Sequence, residues 1–136
     1  MRLALDESRR ALPACRPNPP VGCVLVRDGK VVAKGFTQAP GQDHAEAMAL
    51  RAYDGSFEDV AVFATLEPCS FVGRTPSCAR TLVERGARRV HVALVDPHPK
   101  NRGAGIEILR EAGVEVETGV LHDEVAAFLE PYLIHT

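Results

Sequence analysis

The chain has no tryptophan, and only 5% of its 136 residues are aromatic. No Lys/Arg run exceeds two residues, and the formal net charge is -2. Nucleic-acid surfaces draw their affinity from phosphate neutralisation and base stacking, so both shortages argue against a nucleic-acid partner. Long apolar runs are also missing: none approaches the ~20 residues of a membrane span, so no membrane partner is expected. The opening segment Met1–Glu7 is acidic and amphipathic rather than a secretion signal, and the expected location is cytoplasmic. Cysteine is sparse, confined to Cys15, Cys23, Cys69 and Cys78. In a reducing compartment such thiols bind metal or fill core space more often than they pair. A Cys69–Cys78 disulfide closing a short loop is the alternative.

What is present is ordinary for a globular protein, with 46% hydrophobic and 25% charged residues. No repeat or linker divides the chain, so residues 1–136 are expected to form one domain. Residues 2–12 carry Leu3, Leu5 and Leu12 among charges and predict a helix stopped by Pro13. Arg16–Pro20 reads as an extended, stiff loop. Val21–Arg27 and Val31–Phe36 flank Asp28-Gly29, a strong hairpin signal. After the loop Thr37–Asp43, His44–Tyr53 predicts a helix with Asp43 capping its first turn. Val60–Leu66 predicts a strand, Cys78–Arg85 a helix ended by Gly86, and Arg89–Val95 a strand buried on both faces. A Pro/Asn/His loop over Asp96–Arg102, helix Ala104–Ala112, strand Val114–Glu117 and a helix near His122–Leu133 complete the order. Strands alternating with helices after the hairpin indicate α/β layering with a parallel portion. Cys23, inside Val21–Val26, reads as a small buried hydrophobe. Cys15 has no evident role.

Two short segments carry the chemistry. His44-Ala45-Glu46 is followed by Pro68-Cys69 and then Cys78, with eight residues between the cysteines. A catalytic zinc site needs three protein ligands, an open position for water, and an acid/base to move its proton. His44, Cys69 and Cys78 supply the ligands and Glu46 the acid/base. Positions 44 and 46 converge only if both lie in a first helical turn, where side chains reach past the helix end. Positive helix N-termini at 44 and 78 favour the thiolates that zinc requires. A structural zinc would normally take a fourth protein ligand, and neither Cys15 nor Cys23 is spaced to provide one. The combination points to hydrolytic deamination of an amino-substituted heterocycle, with Glu46 passing a proton to a ring nitrogen and then to the departing amine.

The sequence resembles a known family through Pro17-Asn18-Pro19-Pro20-Val21-Gly22-Cys23-Val24, His44-Ala45-Glu46, Thr65-Leu66-Glu67-Pro68-Cys69-Ser70, Gly73-Arg74-Thr75-Pro76 and Cys78. These are similar to the deaminase domain of riboflavin biosynthesis, and further matches extend the likeness over about residues 2–130. The resemblance implies a cytidine-deaminase-like three-layer α/β/α sandwich with a mixed five-stranded sheet. It also implies zinc on His44, Cys69 and Cys78, proton transfer by Glu46, and base recognition by Asn18. The implied substrate is an aminopyrimidine carrying a ribosylamino 5′-phosphate, met also by Arg74 and Asp96, and at the positions of Thr37 and His98. Arg74 would take the phosphate, with Lys100 or Arg102 assisting. For Arg74 a solvated surface charge is the competing reading, and for Asp96 a loop cap.

The chain departs from the family at Thr37, where His is common, at Phe71-Val72, where a His pair is common, and at His98, where Asn is common. A differently decorated or dephosphorylated heterocycle is therefore the alternative substrate. A nucleic-acid editing module and an inactive zinc-retaining scaffold are the remaining rivals. Family members suggest a homodimer or tetramer, and many continue into a reductase domain. With the sequence ending at Thr136, a reductase is expected on a separate chain unless this is a piece of a longer one.

Overall fold

The computed structural model describes residues 1–73 and 75–133. The hairpin forms as the alternating pattern requires. Strands β1 (Gly22–Arg27) and β2 (Lys30–Phe36) pair antiparallel. Their turn has positive φ at both Asp28 (52°) and Gly29 (74°), the left-handed pair that a two-residue hairpin loop demands. β1 pairs antiparallel with β3 (Val60–Leu66), which is followed by parallel β4 (Arg89–Leu94) and β5 (Glu115–Thr118). The resulting mixed sheet has the order β2-β1-β3-β4-β5.

Among the described residues five helices flank it: α1 (Arg2–Arg9), α2 (Ala45–Arg51), α3 (Cys78–Glu84), α4 (Ala104–Glu111) and α5 (His122–Leu129). Side chains alternate across a strand, so each face needs its own cover. On one face Leu25, Val60, Val62, Val90 and Val92 pack against Ala49 and Leu50 of α2, Ala79 and Leu82 of α3, and Leu109 of α4. On the other, Ala93 and the strand-end residues Leu66 and Leu94 meet Leu5 of α1 and Val125 and Leu129 of α5. Two successive parallel crossovers of one hand, moving the same way along the sheet, place α3 and α4 on the same face. The three-layer sandwich follows.

Several boundaries differ from expectation. α1 ends at Arg9, and turns occupy residues 10–17, which carry Ala11 (1% exposed) and Cys15 (0%) into the interior. Pro13 has no N–H and disfavours helical backbone at Leu12, so the helix gives way to turns, in which the Cys15 N–H meets the Ala11 carbonyl at 3.0 Å. The predicted extended loop is thus confined to its last residues, because the Asn18 N–H closes a turn onto the Cys15 carbonyl at 2.8 Å. Asp43 does not cap α2. His44 is the N-cap residue, and Asp43 instead pairs with Arg51 at 2.9 Å. β4 stops at Leu94, Val95 is 46% exposed, and His91 lies half-buried, stacked on Phe63. The last helix tightens into a 3-10 turn over Glu130–Tyr132, where Pro131 has no N–H to continue it.

Parallel strands β3 and β4 both end, antiparallel β1 begins, and β2 ends at one edge of the sheet. The loops there carry Asn18, Thr37, Cys69 and Asp96, and α2 begins beside them. Ligand sites in open α/β sheets form at this edge, beyond the carboxyl ends of the parallel strands.

Candidate active site

His44 sits in extended conformation just before α2, so its ring projects past the helix end. Its Nδ1 lies 3.6 Å from Cys69 Sγ and 3.4 Å from Cys78 Sγ. Around a tetrahedral zinc with ordinary bond lengths, a nitrogen and a sulfur ligand stand about 3.6 Å apart. All three donor atoms lie within 4.8 Å of one another, so donor type and spacing both fit that ion. The four cysteines are free thiols, and Cys23 is fully buried in the core.

The first turn of α3 holds Cys69 from two sides. The Cys78 N–H donates to Cys69 Sγ at 3.2 Å. The Ala79 N–H and Ser77 Oγ both donate to the Cys69 carbonyl, at 3.0 and 2.8 Å. Ser77 Oγ also caps the helix by accepting the Arg80 N–H at 3.3 Å. Thr75 Oγ1 lies 3.1 Å from His44 Nε2, the nitrogen turned away from the sulfurs. Such a contact fixes which ring nitrogen is free to ligate.

Charge is distributed unevenly. Hydrogen bonding from Cys78, and then from His44, lowers the Cys69 thiol to about 5 despite its burial. The same Cys69 contact, burial and the nearby Glu46 push Cys78 well above its ordinary value. With protein groups alone the pair therefore shares one proton, which a divalent cation would release. The expected helix-terminus assistance reaches Cys69 through the Cys78 N–H, not both thiols equally. Glu46, 4% exposed, is raised to about 7, chiefly by desolvation and next by the Cys69 charge. A buried carboxyl in that range can both take and give a proton near neutrality.

A second buried network went unrecognised in the sequence. Glu67, 3% exposed, accepts backbone N–H groups from Asp96 (3.0 Å), Gly103 (2.9 Å) and Ile106 (3.0 Å). Asn101, 2% exposed, accepts the Ser70 N–H at 3.1 Å and donates to the Pro68 carbonyl at 3.3 Å and Asp96 Oδ2 at 3.3 Å. Together they tie the loop bearing Cys69 to the loop after β4. The available signal was an acid directly before Pro68-Cys69, whose partners all lie far along the chain.

A cavity of about 320 Å³ opens beside Glu46 and Cys69. Asn18, Thr37, Asp96 and His98 all line it, with Pro17, Val21, Leu66 and Phe71 as apolar wall. The half-buried Asn18 side chain makes no hydrogen bond to a described residue, so its amide is available to a ligand. Thr37 is 6% exposed, and its hydroxyl accepts the Val21 N–H at 3.0 Å, closing the end of the hairpin. Asp96 accepts the His98 N–H at 3.0 Å as well as the Asn101 amide, which is the loop-capping arrangement. His98 Nδ1 accepts the Lys100 N–H at 3.1 Å, leaving Nε2 as its protonated nitrogen. Arg102 reaches the Pro97 carbonyl at 3.4 Å, and Lys100 is exposed. Arg74 lies outside the described residues.

Comparison with known proteins agrees with this geometry. The riboflavin biosynthesis protein RibD of Aquifex aeolicus is 39% identical over 135 residues, which is 99% of this chain and 38% of that one. The structure of Acinetobacter baumannii RibD superposes with a TM-score of 0.92 at 41% identity, covering 97% of this chain and 37% of that one. A Thermotoga maritima diaminohydroxyphosphoribosylaminopyrimidine deaminase/reductase gives 0.87 at 37% identity, covering 97% and 38%. The chain thus spans less than two-fifths of the length of these relatives. Residues 1–94 match the family described as the cytidine and deoxycytidylate deaminase zinc-binding region. That match takes in β1 to β4 together with His44, Glu46, Cys69 and Cys78, and the chain belongs to this family of zinc-binding deaminases.

Proposed function

We propose that the chain hydrolytically deaminates 2,5-diamino-6-ribosylamino-4(3H)-pyrimidinone 5′-phosphate in riboflavin biosynthesis, releasing ammonia. The observation that carries this reading is likeness to riboflavin biosynthesis proteins across 97–99% of the chain, cavity loops included. His44 Nδ1, Cys69 and Cys78 would hold the zinc. When bound, zinc supplies a Lewis acid that makes water a nucleophile near neutral pH. Glu46 is the proton carrier: it takes one proton from water and passes it to a ring nitrogen, then takes the second from the hydroxyl added at the ring carbon and gives it to the amine, which leaves as ammonia while the carbonyl forms. Thr75 orients His44, and α3 orients Cys69. Asn18 meets the ring edge, since one amide can both donate and accept there. Asp96 and His98 border the substituent, His98 through Nε2–H, and Thr37 contributes shape. Arg74 takes the phosphate.

The reaction is placed in the cytoplasm, in a homodimer or tetramer, with a reductase acting on the product. Phe71 and Val72 favour a second reading, deamination of a differently decorated heterocycle, because neither can donate to a phosphate. Ammonia release from the phosphorylated and dephosphorylated pyrimidine separates the two. At least a tenfold higher kcat/KM for the phosphate is expected, in line with one charge-assisted contact. Equal values would favour the second reading.

A further inference from the structure

We infer that Phe71 determines specificity in this site as a stacking wall for the flat face of the bound heterocycle, an inference that rests on the deaminase reading. Of the five phenylalanines it alone is exposed, at 39%. Phe57 is buried against Tyr53, Phe63 stacks on His91, and Phe36 and Phe128 lie beneath Arg10 and Arg9. Among the described residues, Phe71 packs in no such pair. Its one aromatic neighbour among them is His98, 6.1 Å away and tilted by 32°, itself a lining residue of the cavity beside Glu46.

Phe71 also borders a second cavity of about 330 Å³, reaching toward Pro40 and Thr75. Pro17, Asn18, His44 and Phe71 line both spaces, so the two adjoin at these side chains. A planar aminopyrimidine requires apolar surface over its faces and polar groups at its edge. At the shared boundary Phe71 and Pro17 are apolar, and the Asn18 side-chain amide has no hydrogen bond to a described residue. The ring of Phe71 is uncharged, so it recognises the heterocycle itself and is indifferent to a phosphate on the substituent. An exposed phenyl in a loop gains its apolar contact only when a ligand covers it.

Calorimetric titration of the zinc-loaded full chain with 5,6-diaminouracil, a deaminated ring without sugar, tests this. Aromatic stacking on a base predicts that Phe71→Leu weakens binding about tenfold, while Phe71→Tyr stays within about threefold of wild type. Val72→Ala is the control, since Val72 is 73% exposed and lines neither cavity. The loss in Phe71→Leu should be the same factor for the bare ring and its ribosyl phosphate. In ammonia-release kinetics it should appear in KM, with kcat and zinc content unchanged. Wild-type affinity in Phe71→Leu, or no binding of the ring to wild type, overturns the inference. Phe71-dependent binding without ammonia release leaves the inference standing and removes the deaminase reading. Ammonia release at unchanged KM in Phe71→Leu does the reverse.

Discussion

Glu46 combines two features in one side chain: it is 4% exposed, and its carboxyl is raised to about 7. It lies two positions from His44 yet is not among the three donors grouped for a metal, so it remains free to carry protons. Replacing it with Gln keeps shape and burial while removing the transferable proton. Ammonia release by Glu46→Gln should therefore fall by about 10²- to 10⁴-fold, with zinc content unchanged when measured on the same sample. Turnover equal to wild type would sink the mechanism. The grouping of His44, Cys69 and Cys78 was readable in the sequence because donor type, order and adjacency to helix starts are local properties. Thr75 and Asn101 were not readable. Their significance comes from contacts to His44 and to the 68–70 segment, 31 or more positions away.

At the scale of elements, the site depends on how closely helices approach the loops they support. Gly105, in the first turn of α4, packs against the Pro68 carbonyl, and a Cβ there would overlap that oxygen. Pro68 immediately precedes Cys69, so a displaced α4 moves a ligand-bearing loop. The Glu67 carboxylate, bonded to the Gly103 and Ile106 N–H groups, holds the same junction from beneath. Gly105→Ala should cost about 1–3 kcal/mol in urea unfolding and weaken zinc retention in a chelator competition. An unchanged midpoint and unchanged retention would show that α4 does not brace the site. The helices themselves were legible from apolar spacing and punctuation by Gly and Pro. Their caps were less so. Asp43 suits an N-cap by type, but Arg51, one helix length away, claims its carboxylate, and His44 takes the cap position with its ring turned to the sulfurs.

On the scale of the whole molecule, β1, β3 and β4 bring distant loops to one edge, and the three candidate donors His44, Cys69 and Cys78 bring the start of α2 against the loop after β3 and the start of α3. An ion bound by the folded chain alone stabilises it by mass action. At a free zinc concentration about 100 times Kd, this amounts to about 2.7 kcal/mol. Adding a chelator to zinc-loaded protein should therefore lower the melting temperature by several degrees, and zinc should restore it. A Cys78→Ser variant should melt near the chelated value and respond less to either addition. Indifference of the wild type to chelation would argue that the three donors do not hold a metal in the folded state.

The elements, their order, the hairpin turn at Asp28-Gly29 and the candidate donors were legible in the sequence alone, because these follow from short-range periodicity, turn chemistry and residue type. Packing across the chain settled that Glu67 and Asn101 brace the Cys69 loop, that Thr37 is committed to the Val21 backbone, and that Phe71 stands between two cavities. The first two depend on which buried polar groups find partners across the sheet edge, and the third on where the packed loops leave space. Such pairings are set by packing in three dimensions and leave no local pattern along the chain.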